Sequence, residues 1–174
     1  MSPSMLNSPS EDTAAVSMSL FAMLEKERAV FEACDYLGAP RPAVDAVRVT
    51  ERDRTVLVDW LYGFIAKFPF DRDTVAAAMD IVDRFLSGAS RPARRALREG
   101  TQFQLVAMTA LYICIKTHEQ AALGSASFAL LSRHLYTAHD IEATELDILQ
   151  GLAWCVGRPT SLTVARHVLW VTLS

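Results

Sequence analysis

The segment Gln102–Glu119, QFQLVAMTALYICIKTHE, constrains this chain more than any other. Between Leu105 and Ile115 no side chain is more polar than Thr109 and Tyr112, so a helix here is apolar in every direction. Such a helix has to be enclosed on all sides. Its 11 residues fall short of the roughly 20 that a bilayer span requires. The segment is therefore predicted to be the central helix of a domain, with other helices packed around it. It ends in Lys116, Thr117, His118 and Glu119, an abrupt polar run where the helix leaves the core. That end is the first place to look for function.

The rest of the chain supplies the surrounding helices. Leu57, Trp60, Leu61, Phe64, Ile65 and Phe68 recur at helical spacing and predict a helix over Glu51–Phe68. After Pro69, with Asp71 or Asp73 as its cap, a second helix carries Val75, Ala78, Met79, Val82, Phe85 and Leu86 to the stop at Ser87-Gly88. The connection Ala89–Gly100 holds Arg91, Arg94, Arg95 and Arg98, with Arg84 just before it, and reads as a solvated basic loop. Beyond Gly124, Ser125 or Ser127 can cap a short helix through Phe128, Leu130, Leu131 and Leu135. Thr137 or Asp140 opens another, with Ile141, Ile148, Leu149 and Leu152 on its buried face and Trp154–Val156 continuing it to Gly157. A helix with Leu20, Met23, Leu24, Val30 and Phe31 is predicted over Val16–Leu37, and a last one, capped by Thr160, over Leu162–Leu173. No strand pattern appears, so the predicted class is all-α: five helices with one added at each end. The predicted organisation is a disordered Ser/Pro-rich tail over 1–15, an amino-terminal helix and linker over 16–40, the helical domain over 41–158, and over 159–174 a terminal helix or the start of a second domain.

Composition narrows the function. A chain of 174 residues suffices for one domain with a full core. It is 51% hydrophobic and 21% charged, a balance that points to apolar surface covered by a partner or a further domain. A net charge of −3 argues against nucleic acid as the partner. Cys34, Cys114 and Cys155 form no C-x-x-C pair, and the four histidines are scattered, so neither a metal nor another cofactor is expected. No charged segment followed by an apolar run opens the chain, and no secretory signal is expected. Walker, G-x-G-x-x-G and G-x-S-x-G motifs are absent, which disfavours an enzyme.

The informative residues are charges on apolar stripes. Glu145 lies midway between Ile141 and Leu149, on the core-facing side of its helix, and Lys116 is positioned to be its partner. Structural and functional roles are equally open for these two. Arg54 lies on the stripe of Leu57 and Leu61, and Asp83 flanks Val82 and Phe85; they are expected to pair in a structural role, since a guanidinium suits two-pronged contact with a carboxylate.

Taken together, RTVLVDWL (Arg54–Leu61), IVDRFLS (Ile81–Ser87), QLVAMTALYICIK (Gln104–Lys116), YTAHDIEATELDILQGLAW (Tyr136–Trp154) and RPT (Arg158–Thr160) resemble, in order and spacing, the cyclin box of the cyclin family over about residues 45 to 160. The resemblance implies a five-helix cyclin box, preceded by an amino-terminal helix and followed by a short carboxyl-terminal one. It implies a non-catalytic regulatory subunit of the nucleus or cytoplasm that binds and activates a cyclin-dependent serine/threonine protein kinase in cell-cycle control. The kinase contacts it implies are Lys116 and Glu145, with Thr117 and Glu119 beside them. Arg54 and Asp83 fall on the family's internal ion pair, and Leu57, Trp60 and Gln104 on a patch that docks kinase substrates or inhibitors.

The chain departs from the family pattern at several of these places. Thr117 and His118 replace an aromatic residue and an acid after the lysine, Asp53 stands where the patch begins with methionine, and Gly63 replaces a glutamate one turn after Trp60. These departures motivate one rival expectation, a cyclin-fold adaptor that does not activate a kinase; the basic cluster from Arg84 to Arg98 motivates a second, a transcription-associated cyclin-like module.

Overall fold

The computed structural model describes residues 9–30, 33–38, 49–119, 123–157, 164–165 and 168–169. The chain divides into a unit of Ala33–Val156 and a second unit made of its two ends, Met1–Glu32 and Gly157–Ser174. Every described element is helical, as the sequence pattern predicts. Among the described residues no helix is long and apolar enough to cross a membrane.

In the end unit, α1 covers Pro9–Val30. It starts earlier and stops earlier than the spacing predicts, because the backbone at residues 33–35 is already non-helical and residues 36–38 form a turn. Of the terminal helix over Leu162–Leu173, residues 164–165 and 168–169 are helical; its Thr160 cap, residues 1–8 of the expected tail and the Pro40/Pro42 loop lie outside the described residues.

In the larger unit the capping chemistry is local and legible. The helix α2 (Glu51–Ile65) opens on a reciprocal pair in which Thr50 Oγ1 accepts from the Asp53 amide and Asp53 Oδ2 accepts from the Thr50 amide. It ends before Phe68 because Lys67 and Phe68 donate three residues back and Pro69 disfavours helical backbone in the residue before it. Next, α3 spans Asp73–Ser87, and Asp71 Oδ1 accepts from the Asp73 amide at its start.

The first correction concerns Ala89–Gly100. Instead of a loop, Arg91–Arg98 forms α4, capped by Ser90 Oγ accepting from the Ala93 amide, with Pro92 in its first turn. Ala93, Ala96 and Leu97 are buried and the arginines face outward. Arg84, read as part of the same basic cluster, is 5% exposed and belongs to the interior.

The central helix is α5, Gly100–His118, and every residue from Leu105 to Ile115 is buried. It packs on α2, α3 and α4 and on two later helices, α6 (Ser125–Leu131) and α7 (Ala138–Gly151). Thr109 Oγ1, at its centre, is buried without a hydrogen-bond partner. Neither Ser125 nor Ser127 caps α6; Gly124 stands at that place, and Ser125 Oγ donates to Glu142 Oε1 instead. Phe128 is buried, whereas Leu130 and Leu135 are largely exposed. The opening of α7 is a second reciprocal cap, Thr137 with Asp140, so both candidates serve. Gly151 lets α7 approach α3: a Cβ there would stand 3.0 Å from the Phe85 ring.

The second correction is at the end of α7. Trp154–Val156 do not continue the helix. The Trp154 amide donates to Leu149 O at 2.8 Å and the Ala153 amide to Gln150 O at 3.1 Å, the bond pattern of a Schellman stop. Its pivot is Ala153 at φ 48°, followed by Trp154 at φ 64°. Glycine usually fills such a position because a Cβ is strained there. We expect Ala153→Gly to raise stability by about 0.5–1 kcal/mol, read as a higher urea midpoint at unchanged slope.

Candidate functional site

Two ion pairs bridge helices that are distant in sequence. Arg54 on α2 meets Asp83 on α3 through both prongs, Nε to Oδ1 at 3.2 Å and Nη2 to Oδ2 at 2.7 Å. Tyr36, buried, donates its hydroxyl to the same Asp83 Oδ1 at 2.7 Å. Burial, and next the Asp83 carboxylate, push the Tyr36 phenol well above its ordinary range, so it remains a donor. Ser87 Oγ accepts from the Cys34 amide at 3.0 Å, tying the 33–38 segment to the end of α3. This cluster therefore fastens three chain segments together.

The second pair sits at the carboxyl end of the central helix. Lys116 Nζ donates to Glu145 Oε1 at 2.8 Å, and its ammonium lies 4.8 Å from the centre of the Tyr112 ring. The Glu145 side chain is 16% exposed and that of Lys116 is 41% exposed, so the pair straddles the boundary between core and solvent. The hydrogen bond to Glu145 is the main reason that the Lys116 ammonium is held above its ordinary range. The contact sets the position of both groups. A lysine offers three donors, and this bond uses one of them.

The neighbouring candidates are placed differently. Thr117 is exposed, and its hydroxyl donates back to Ile113 O at 2.9 Å. Glu119 turns inward: its Oε1 accepts from the Asp71 amide at 3.0 Å and from Thr74 Oγ1 at 2.6 Å. It thereby satisfies donors at the start of α3, where a carboxylate also complements the helix dipole. The sequence carried no signal for this role, because Asp71 and Glu119 are 48 residues apart.

Two large apolar side chains, one on α7 and one in the turn that closes it, are exposed to solvent. Leu146, next to Glu145 on α7, is 48% exposed, and Trp154, in the turn that closes α7, is 65% exposed. On the substrate-docking candidates, Leu57 is buried in the core, Trp60 is half-buried with its ring 5.9 Å from Phe64, and Gln104 Oε1 accepts from Tyr136 Oη at 3.2 Å. Val56, beside them, is exposed. No group of three His, Cys, Asp or Glu side chains that could hold a metal ion occurs among the described residues.

Comparison with known proteins places this arrangement. The family model described as "Cyclin, N-terminal domain" matches residues 19–157. The G2/mitotic-specific cyclin-B2 of Rana japonica is 33% identical over 124 residues, which is 71% of this chain and 30% of that protein. The G2/mitotic-specific cyclin-B1 of Anguilla japonica is 33% identical over 130 residues, 74% of this chain and 30% of that protein. The corresponding cyclin-B1 of Xenopus laevis is 32% identical over 119 residues, 68% of this chain and 28% of that protein. The chain thus spans under a third of the length of these relatives. A match over most of the chain, on an all-helical unit built around one buried helix, shows that it belongs to the cyclin family.

Proposed function

We propose that this chain is a non-catalytic regulatory subunit that binds and activates a cyclin-dependent serine/threonine protein kinase in cell-cycle control. The observation that carries the reading is the Lys116–Glu145 pair, which holds two charges at the rim of the bundle at 2.8 Å, with the exposed Leu146 next to Glu145 in the chain. The names of its relatives, G2/mitotic-specific cyclins, support the cell-cycle assignment. In this reading Lys116, Glu145, Leu146 and Trp154 touch the kinase, Thr117 lies at the margin, and Glu119 acts from behind by holding the start of α3 against the end of α5. The Arg54–Asp83 pair keeps the fold and contacts no partner.

The test is calorimetric titration of a purified cyclin-dependent kinase with the full chain. Removing both charges together, Lys116→Ala with Glu145→Ala, avoids stranding one of them and is expected to weaken binding about tenfold at an unchanged melting midpoint. Binding equal to that of the parent chain sinks the site assignment. Phosphate transfer to a histone substrate separates a subunit that activates from an adaptor that only binds, since an adaptor leaves the kinase at its basal rate.

A further inference from the structure

Tyr112 is the one aromatic residue in the run Leu105–Ile115, where every other large side chain is Leu, Val, Met or Ile. It stands one helical turn before Lys116, so the two side chains share a face of α5. Long side chains in a helix lean back towards its amino end. Lys116 does so, and its Nζ stands over the Tyr112 ring, 4.8 Å from the centre. The face of an aromatic ring is its negative side, and it attracts a cation within about 6 Å of the ring centre. Glu145 Oε1 reaches the same nitrogen from α7 at 2.8 Å. The ammonium therefore has two partners, a carboxylate on a neighbouring helix and a ring on its own.

The ring is itself held in place. Tyr112 is 8% exposed and Phe128 of α6 is 1% exposed, and their rings meet edge to face with 5.3 Å between centres at an angle of 65°. Phe128 rests in turn on Phe64 of α2, 5.5 Å away between centres. Aromatic pairs prefer such geometries, so each ring sets the plane of the next. Through Phe128, α6 braces the ring that lies against the ammonium.

This bracing matters because lysine carries its charge on a flexible four-carbon stem. A partner that must first order the stem loses affinity in doing so. One hydrogen bond to Glu145 fixes a distance, and the ring adds a direction. An aliphatic side chain at position 112 would fill the same space but offer the charge no negative face.

We propose that Tyr112, braced by Phe128, is a positioning residue for Lys116: its ring fixes the ammonium beside Glu145 before the kinase arrives, so that the remaining donors of Lys116 are presented in one orientation. This rests on the reading of Lys116 as a kinase contact. It goes beyond that reading in making kinase affinity depend on a nearly buried ring.

Two measurements on the full chain test it, the first without the kinase. NMR relaxation of the Lys116 ε-methylene reads how firmly the side chain is held. Tyr112→Leu is expected to lower its order parameter, and Tyr112→Phe, which keeps the ring, to restore it. Calorimetric titration of a purified cyclin-dependent kinase reads the consequence. Tyr112→Leu is expected to weaken binding about threefold, the scale of one cation–ring contact near the surface, and Tyr112→Phe to recover it. Added to Lys116→Ala with Glu145→Ala, the same Tyr112→Leu change is expected to have no further effect, whereas a ring with only a packing role would cost the same in both backgrounds. Should Tyr112→Leu lower the melting midpoint so far that unfolded chain enters the titration, Tyr112→Met, whose flexible side chain fills the gap, carries the test. An unchanged order parameter, an unchanged kinase affinity, or an equal loss of affinity with and without the charge pair each overturns the proposal. A parent chain that binds no kinase overturns the reading of the site instead, and the order parameter still decides whether the ring holds the ammonium.

Discussion

Replacing Arg84 by methionine is expected to lower the unfolding free energy by about 3–5 kcal/mol, the loss that follows when one partner of a buried charge pair is removed. The Arg84 side chain is 2% exposed, and its Nε lies 2.8 Å from Asp80 Oδ2, one helical turn back on α3. Its other end leaves the helix: Nη1 donates to Cys155 O at 2.7 Å and Nη2 to Val156 O at 3.4 Å. These carbonyls belong to the strand-less segment that follows α7, more than 70 residues further along the chain. Methionine fills the space with apolar volume, but it removes the ion pair to Asp80 and the bonds to the Cys155 and Val156 carbonyls. Urea unfolding measures the effect. A second replacement, Asp80→Leu on top of Arg84→Met, is expected to recover a part of the loss, because a buried pair exchanged for apolar groups of similar size is often tolerated. A loss below about 1 kcal/mol for Arg84→Met would mean that the guanidinium contributes no more than an ordinary hydrogen bond.

Arg84 also shows where the sequence stopped being legible. By composition it belongs with Arg91, Arg94, Arg95 and Arg98, and only its partners set it apart: Asp80 is near in sequence, but Cys155 and Val156 are not. The features that could be read were local or periodic. The unbroken apolar run Leu105–Ile115 fixed the buried helix, and Thr50-Asp53 and Thr137-Asp140 marked helix starts through a spacing of three. Position on an apolar stripe brought Arg54 to Asp83 and Lys116 to Glu145, since a charge on such a stripe needs a partner from the helix packed across it. What escaped was chemistry that periodicity does not encode. An eight-residue helix is barely two turns, so the arginines of α4 outweighed the two alanines and the leucine that bury it. Glu119 faces inward because the start of α3 needs acceptors, a demand that arises only once the two helices pack. The ends of α6 and α7 turn through Arg133 and Ala153 at positive φ, where no glycine announces a stop.

That unannounced stop leads to the prediction with the largest effect on the proposed partner. Trp154→Ala is expected to weaken kinase binding about 30-fold or more, the loss of about 2 kcal/mol typical of a central aromatic anchor. The chain goes to some length to display this side chain. Its backbone is held at φ 64°, its amide is bonded to Leu149 O at 2.8 Å, and the two residues after it are gripped by Arg84, while the ring remains 65% exposed. A tryptophan with only a structural task would be expected to turn its ring inward, and a turn with only a structural task would place glycine there. Holding a large apolar ring in water on strained backbone costs stability, and strain of this kind persists where the displayed group has a use. The two variants Trp154→Ala and Trp154→Gly separate the explanations. Both are expected to weaken binding equally, but glycine removes the Cβ strain and is expected to be more stable than alanine by about 0.5–1 kcal/mol. Stability would then differ between the two variants while affinity would not. Kinase affinity unchanged in both variants would show that the ring is displayed for something other than the kinase. Arg84→Met links the two predictions: in the fraction of that protein that remains folded, the turn has lost its clamp, and kinase affinity is expected to fall although Arg84 itself, almost fully buried, touches no partner.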